Sequence, residues 1–133
     1  MSHDDKSKLV GYALPRLNVF TDAMADLQRQ MADAAYHREN PVVKVCAAVK
    51  TYVEAFEKAL DNDHEVAVRL VTFGGELLFH AEQIGFSVPN VITFTGITTD
   101  GERVQLIQHV SQLSFLLRAV KKMGPTPRRI GFV

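Results

Sequence analysis

The sequence predicts an α+β fold: two N-terminal helices followed by an antiparallel, strongly bent five-stranded sheet, closed as a small SH3-like or Sm-like barrel. Three observations predict it. Apolar residues recur at helical spacing from Leu17 to Leu60. From residue 65 onward the spacing changes to two. Turn signals then recur at hairpin intervals, at Gly74-Gly75, from Gly85 to Pro89, and at Thr99-Asp100-Gly101.

Residues 1–16 read as a flexible lead-in. Leu17, Phe20, Met24, Leu27, Met31 and Ala34 then follow in alternating steps of three and four, an a/d heptad seam on one helix face. Residues 17–39 are therefore an N-terminal helix with two readings open, packing on the domain's own core or self-association. Asn40-Pro41 opens the second helix, since Asn can cap and Pro suits the first helical position. Val42, Val45, Cys46, Val49, Tyr52, Val53, Phe56, Ala59 and Leu60 form its broad apolar stripe. Asp61-Asn62-Asp63 ends it with turn-forming side chains.

Alternation places strands at Glu65 to Phe73, Glu76 to Ile84, Asn90 to Ile97 and Arg103 to Gln108. Three hairpin connections make these a meander. Residues 110–122 fit a helix or a strand. The preferred assignment is a short helical turn from His109 to Leu113 and a fifth strand from Ser114 to Val120, which would close the sheet and remove its edges. The competing assignment is a curled sheet covered by a C-terminal helix. Gly124, Pro125 and Pro127 end regular structure, leaving a basic C-terminal tail on the domain of residues 40–133.

The chain's 133 residues suit one core, and its 47% hydrophobic and 23% charged content is too apolar for disorder. The net charge is zero but uneven. Arg118, Lys121, Lys122, Arg128 and Arg129 gather near the end with no acidic residue among them, a pattern that fits a solvated tail or a surface for phosphate or acidic protein. The single cysteine, Cys46, allows no internal disulfide, so a cytoplasmic setting is expected, with Cys46 a core residue. No apolar run reaches the ~20 residues that span a bilayer, so no membrane partner is expected.

Four constellations bear on function. His64, Glu65, His80 and His109 are metal-ligand types, but no HxH, HExxH or CxxC spacing is present, and adjacent His64 and Glu65 point to opposite strand faces. No metal or cofactor is expected. Asp61, Asp63, His64, His109 and Ser111 could serve acid–base chemistry, yet no nucleophile elbow accompanies them. Gln105, Gln108, His109 and Gln112 form a dense polar series at a strand end, with Arg69, Arg103, Arg118, Arg128 and Arg129 as sources of charge for a nucleotide or RNA. The same polar groups could instead satisfy backbone where the chain leaves the sheet. The heptad seam favours a homo-oligomer.

Four stretches carry a family resemblance: Leu60 to Val66 with Arg69 to Gly74, Phe79-His80 with Ile84-Gly85, Val104 to Leu113, and Arg128 to Phe132. From about residue 40 onward the chain resembles a bacterial and phage-associated family without known function, domain-of-unknown-function family 6173. The resemblance implies no activity, cofactor or catalytic residue. It does imply that these polar residues belong to a shared pattern. Members often carry Gly where Ala67 stands and a Pro shortly after the position of Val120, and such a Pro suits a strand end.

The resulting expectation is a non-enzymatic, oligomeric binding or assembly protein. Its expected binding residues are Arg69, His80, Gln105, Gln108, His109, Gln112, Arg128 and Arg129. Two alternatives stand beside it: an enzyme acting on a nucleotide or phosphate-containing substrate with His64, His80 or His109 as base, and a phage-type inhibitor sequestering a host protein or signalling nucleotide.

Overall fold

A computed structural model describes the backbone of residues 2–72 and 75–133 and the side chains of residues 19–70 and 76–133. The chain divides into two compact units between Arg38 and Glu39. The first is helix α1, Ser2–Glu39, which takes in the stretch set apart as a lead-in. Along it Phe20, Met24, Leu27 and Met31 are all exposed.

The second unit begins with helix α2, Pro41–Lys58. Pro41 occupies the first turn as expected, but Asn40 makes no side-chain cap. The start is anchored through the backbone instead. Val42 N–H donates to the Pro89 carbonyl at 3.1 Å, which ties α2 to the loop between the second and third strands. The helix ends at Lys58, and Asp61 forms the turn that follows: its Oδ1 accepts from the Asp63 N–H at 2.9 Å.

Six strands follow: β1 His64–Thr72, β2 Gly75–Ser87, β3 Val91–Thr98, β4 Arg103–His109, β5 Leu116–Lys121 and β6 Gly131–Phe132. A short 3-10 turn, Val110–Gln112, joins β4 to β5. The helical turn and fifth strand expected for residues 109–120 are thus present, and the C-terminal helix is not. The first hairpin turn, expected at Gly74-Gly75, includes residues 73 and 74, which lie outside the described residues. Gly101 closes the β3–β4 turn at φ +86°, a conformation that costs glycine nothing.

The strand order is β4-β3-β2-β1-β5, antiparallel throughout, so β4 and β5 are its two edges. The barrel expectation is corrected here, because the sheet is curved but not closed. Its edges β4 and β5 do not pair, and β2 shifts register with β3 between Ala81 and Gln83. Such a bulge bends a strand locally. The first half of β2 pairs with β1 as far as Ala67↔His80, after which β1 and β2 part. Into that gap comes β6, pairing in parallel with β2 at Gln83↔Gly131 and Ile84↔Phe132. The basic tail is therefore a docked strand.

One face of the sheet carries the core. Val66, Val68 and Leu70 of β1, Phe79, Ala81 and Ile84 of β2, and Ile92 and Phe94 of β3 pack with Val42, Cys46, Val49 and Val53 of α2. Burial of each large side chain in such a set contributes about 1.5–3 kcal/mol. Ile130 joins the same core from the tail. Phe94 meets Phe115 edge-on at 4.9 Å, bringing the segment before β5 onto this core. Among the described residues, no helix is long and apolar enough to cross a membrane.

Candidate functional site

Glu65 is the only acidic residue in β1, and it lies on the face opposite Val66 and Val68. It is 1% exposed, and His80 on β2 is 3% exposed. A buried carboxylate is costly unless its oxygens are bonded. Both are. His80 Nδ1–H donates to Glu65 Oε2 at 2.5 Å, and the Arg128 backbone N–H donates to Glu65 Oε1 at 3.0 Å. The glycine opposite β2 makes room for this. A Cβ on Gly96 would strike the His80 carbonyl oxygen and come within 2.6 Å of Phe79.

Further bonds hold the returning tail. Ile130 N–H donates to Glu57 Oε2 of α2 at 2.9 Å. The Arg129 guanidinium donates to the His64 carbonyl at 2.9 Å and the Asp61 carbonyl at 3.2 Å. Val133 N–H donates to Ile84 O at 3.1 Å. Burial pushes the Glu57 carboxyl up from its ordinary range, opposed by the Ile130 bond and Arg129. The Asp61 carboxyl is held down by the His64 ring, 2.7 Å away, and by the Asp63 N–H.

Beside the docked tail lies a cavity of about 430 Å³, lined by Glu82, Gln83, Thr95, Arg103, Arg128 and Arg129. Gln83 and Thr95 are register partners on β2 and β3. Arg103 stands opposite Ile97 on the adjoining β4. Glu82 sits in the bulge between Ala81 and Gln83. Arg128 Nε is 3.8 Å from Glu82 Oε2, too long for a hydrogen bond. Arg128 Nη1 is buried with no hydrogen-bond partner among the described residues.

The sequence-predicted site residues go to several places. Arg128 and Arg129 reach this cavity, joined by Arg103; Arg118 stands on β5 and is not in its lining. His80 lies under the tail. Arg69 pairs with Glu76 and lines a separate hollow with Ser114, Phe115 and Leu116. The polar series of residues 105–112 is dispersed by the strand's own alternation. Gln105 and His109 are on the exposed face of β4, and Gln108 turns to the other, where its Oε1 is buried with no hydrogen-bond partner among the described residues. His109 Nδ1 accepts from the Ser111 N–H at 3.1 Å and caps the 3-10 turn, whose last residue is the exposed Gln112. His64 and Glu65 point apart as expected, and no cluster of three metal-ligand side chains occurs among the described residues. Cys46 is in the core, and burial raises its thiol.

Sequence reasoning missed Glu57, Glu82, Gln83, Thr95 and Gly96. Glu82 carries the one signal that was available, a charge interrupting the apolar alternation of β2.

An α-helix laid on a curved, open antiparallel sheet, with a C-terminal segment inserted beside the second strand, defines a small α+β domain with a basic cavity. The chain belongs to a family of unknown function, DUF6173, whose model matches residues 43–133. That range covers α2 from Val43 onward and the whole sheet. No curated protein and no solved structure matches the chain.

Proposed function

We propose that this is a non-enzymatic assembly and binding protein that associates with further copies of itself through α1 and displays the sheet domain from that assembly. The observation that carries the reading is the exposed seam of α1. Phe20 is 66% and Met31 63% exposed, with Met24 and Leu27 on the same stripe. Most helix stability in proteins comes from packing an apolar face, and a contiguous apolar stripe left in water marks a contact surface. The seam therefore needs a cover.

The charge pattern favours a second copy as that cover. Positions flanking the seam are Arg16, Thr21, Ala23, Gln28, Gln30, Ala35 and His37, of which only Arg16 carries a fixed charge. Asp22, Asp26, Arg29 and Asp33 lie on the far side, where Arg29 pairs with Asp26. Two such seams can face each other with no like charges between them, in a heptad geometry that suits helix pairing. Structural roles for the histidines also support a non-catalytic reading: His64, His80 and His109 each bond within the chain, to Asp61, Glu65 and Ser111.

Light scattering on the full chain tests this. Wild type is expected as a dimer or larger, and Leu27→Glu as a monomer with reduced helix content and an unchanged sheet domain. A monomeric wild type at every concentration, with Leu27→Glu lowering its melting temperature, would place the seam on the chain's own domain and overturn the reading.

A further inference from the structure

We infer that the cavity beside the docked tail is a binding site for a phosphate group, with Arg128 and Arg103 as its principal donors. Arg128 supplies the first reason. It lines the cavity with its side chain 34% exposed, its Nη1 has no hydrogen-bond partner among the described residues, and its Nε meets Glu82 at ion-pair distance, 3.8 Å, without a hydrogen bond. The guanidinium therefore keeps charge-assisted bonding capacity for an incoming anion. A guanidinium offers a planar fork that matches two phosphate oxygens.

Its surroundings have the right charge and the right companions. Three arginines and one carboxylate line the cavity, so it is net positive. Arg129 is fixed in place by the His64 and Asp61 carbonyls and contributes charge more than free N–H groups. Arg103 is exposed on β4. The Thr95 hydroxyl makes only a long 3.4 Å contact to the Gln83 carbonyl and can turn to an incoming oxygen. The volume, about 430 Å³, lies within the usual range of small-molecule sites.

The site is also preorganised. The Arg128 backbone is bonded to Glu65, and two residues later Ile130 is bonded to Glu57, so the guanidinium is carried on a segment fixed at both ends. Binding then forfeits little conformational freedom. The buried Glu65–His80 pair is accounted for in the same way, as the anchor that sets the position of Arg128.

The chemistry is that of a phosphate dianion, either free or as the monoester of a small molecule. The test is an amide-resolved NMR titration of the full chain with inorganic phosphate, and separately with a nucleoside 5′-monophosphate. Saturable shifts are expected at Gln83, Thr95, Arg103 and Arg128. Arg103→Ala and Arg128→Gln should each weaken binding about tenfold or more, the loss of one charge-assisted hydrogen bond. Arg118→Ala, outside the cavity, should leave it unchanged. Arg103 is exposed, so its variant keeps the test valid if Arg128→Gln disturbs the tail. Tighter binding of the nucleotide identifies a monoester, and equal binding identifies phosphate itself; either supports the site. Absence of saturable shifts with both probes, or equal weakening by Arg118→Ala, overturns it. The titration is read on the sheet domain, so its outcome is independent of whether α1 self-associates.

Discussion

Glu65 accepts a hydrogen bond from the backbone N–H of Arg128, 63 residues further along the chain, at 3.0 Å. With the His80 bond to its other oxygen, Glu65 joins β1, β2 and the C-terminal segment in one buried arrangement. Three of the four stretches that carry the resemblance meet here: Asp61, His64 and Glu65 come from the first, His80 from the second, and Arg128, Arg129 and Ile130 from the last. The third, Val104 to Leu113, runs through β4 and the 3-10 turn instead.

Removing one member of the Glu65–His80 pair leaves the other buried with that bond unmade, Glu65 keeping only its bond from the Arg128 N–H. His80→Ala or Glu65→Ala should each cost about 3–5 kcal/mol, the range for a broken buried pair. The double variant Glu65→Leu, His80→Leu should cost clearly less than the sum of the singles, since no polar orphan remains on either side chain. Urea denaturation midpoints measure all three. Additive losses would mean that the two side chains stabilise the fold separately.

Gly96 on β3 packs against the His80 backbone and the Phe79 ring of β2. Gly96→Ala places a methyl against the His80 carbonyl and the Phe79 ring, both backed by the core. The expected loss is about 1–3 kcal/mol, the usual result of overpacking. Gly101→Ala meets no neighbour but must adopt φ +86°, so a smaller loss of about 1 kcal/mol is expected there. Thermal melts of the two variants should rank in that order.

Ile130 is 7% exposed and packs in the core from the docked tail. Ile130→Ala should cost about 2–5 kcal/mol. Hydrogen exchange should show the loss first at residues 128–133 and at Gln83 and Ile84, whose strand β6 extends. A uniform loss over the whole sheet would instead make tail docking and global folding one step.

Glu57 and Asp61 should give opposite pH signatures. Burial raises the Glu57 carboxyl above its unfolded value, so the folded state favours the proton. Its contribution is fully present below pH 4.5 and is lost as pH rises through that value and the raised one above it. Glu57→Gln keeps an acceptor for the Ile130 N–H without the charge, so its stability relative to wild type should improve as pH rises through this window. Asp61 is held below its usual value by His64 and the Asp63 N–H, so its contribution is present above pH 3.8 and lost as pH falls through the lowered value. Asp61→Asn should therefore lose most relative to wild type at neutral pH and approach it in acid. Urea titrations across pH 3 to 7 would read both, about one pH unit or more to either side of the carboxylate range.

By itself the sequence determined what depends on local periodicity. The stripe from Val42 to Phe56 specifies α2. Alternation and turn chemistry specify β1 to β4, because side chains alternate faces along a strand and Gly101 suits a left-handed turn. The preference for a strand after the 3-10 turn was legible in the same way. Tertiary structure decided what depends on residues far apart in the chain. Whether the sheet closed rested on which segment met the second half of β2, and no local pattern specifies that. The fate of the polar residues was decided there too. Gln105, Gln108 and His109 are neighbours in sequence but are parted by the pleat, whereas Glu82, Thr95, Arg103 and Arg128 come from four separate segments and meet at one cavity because β6 docks beside β2.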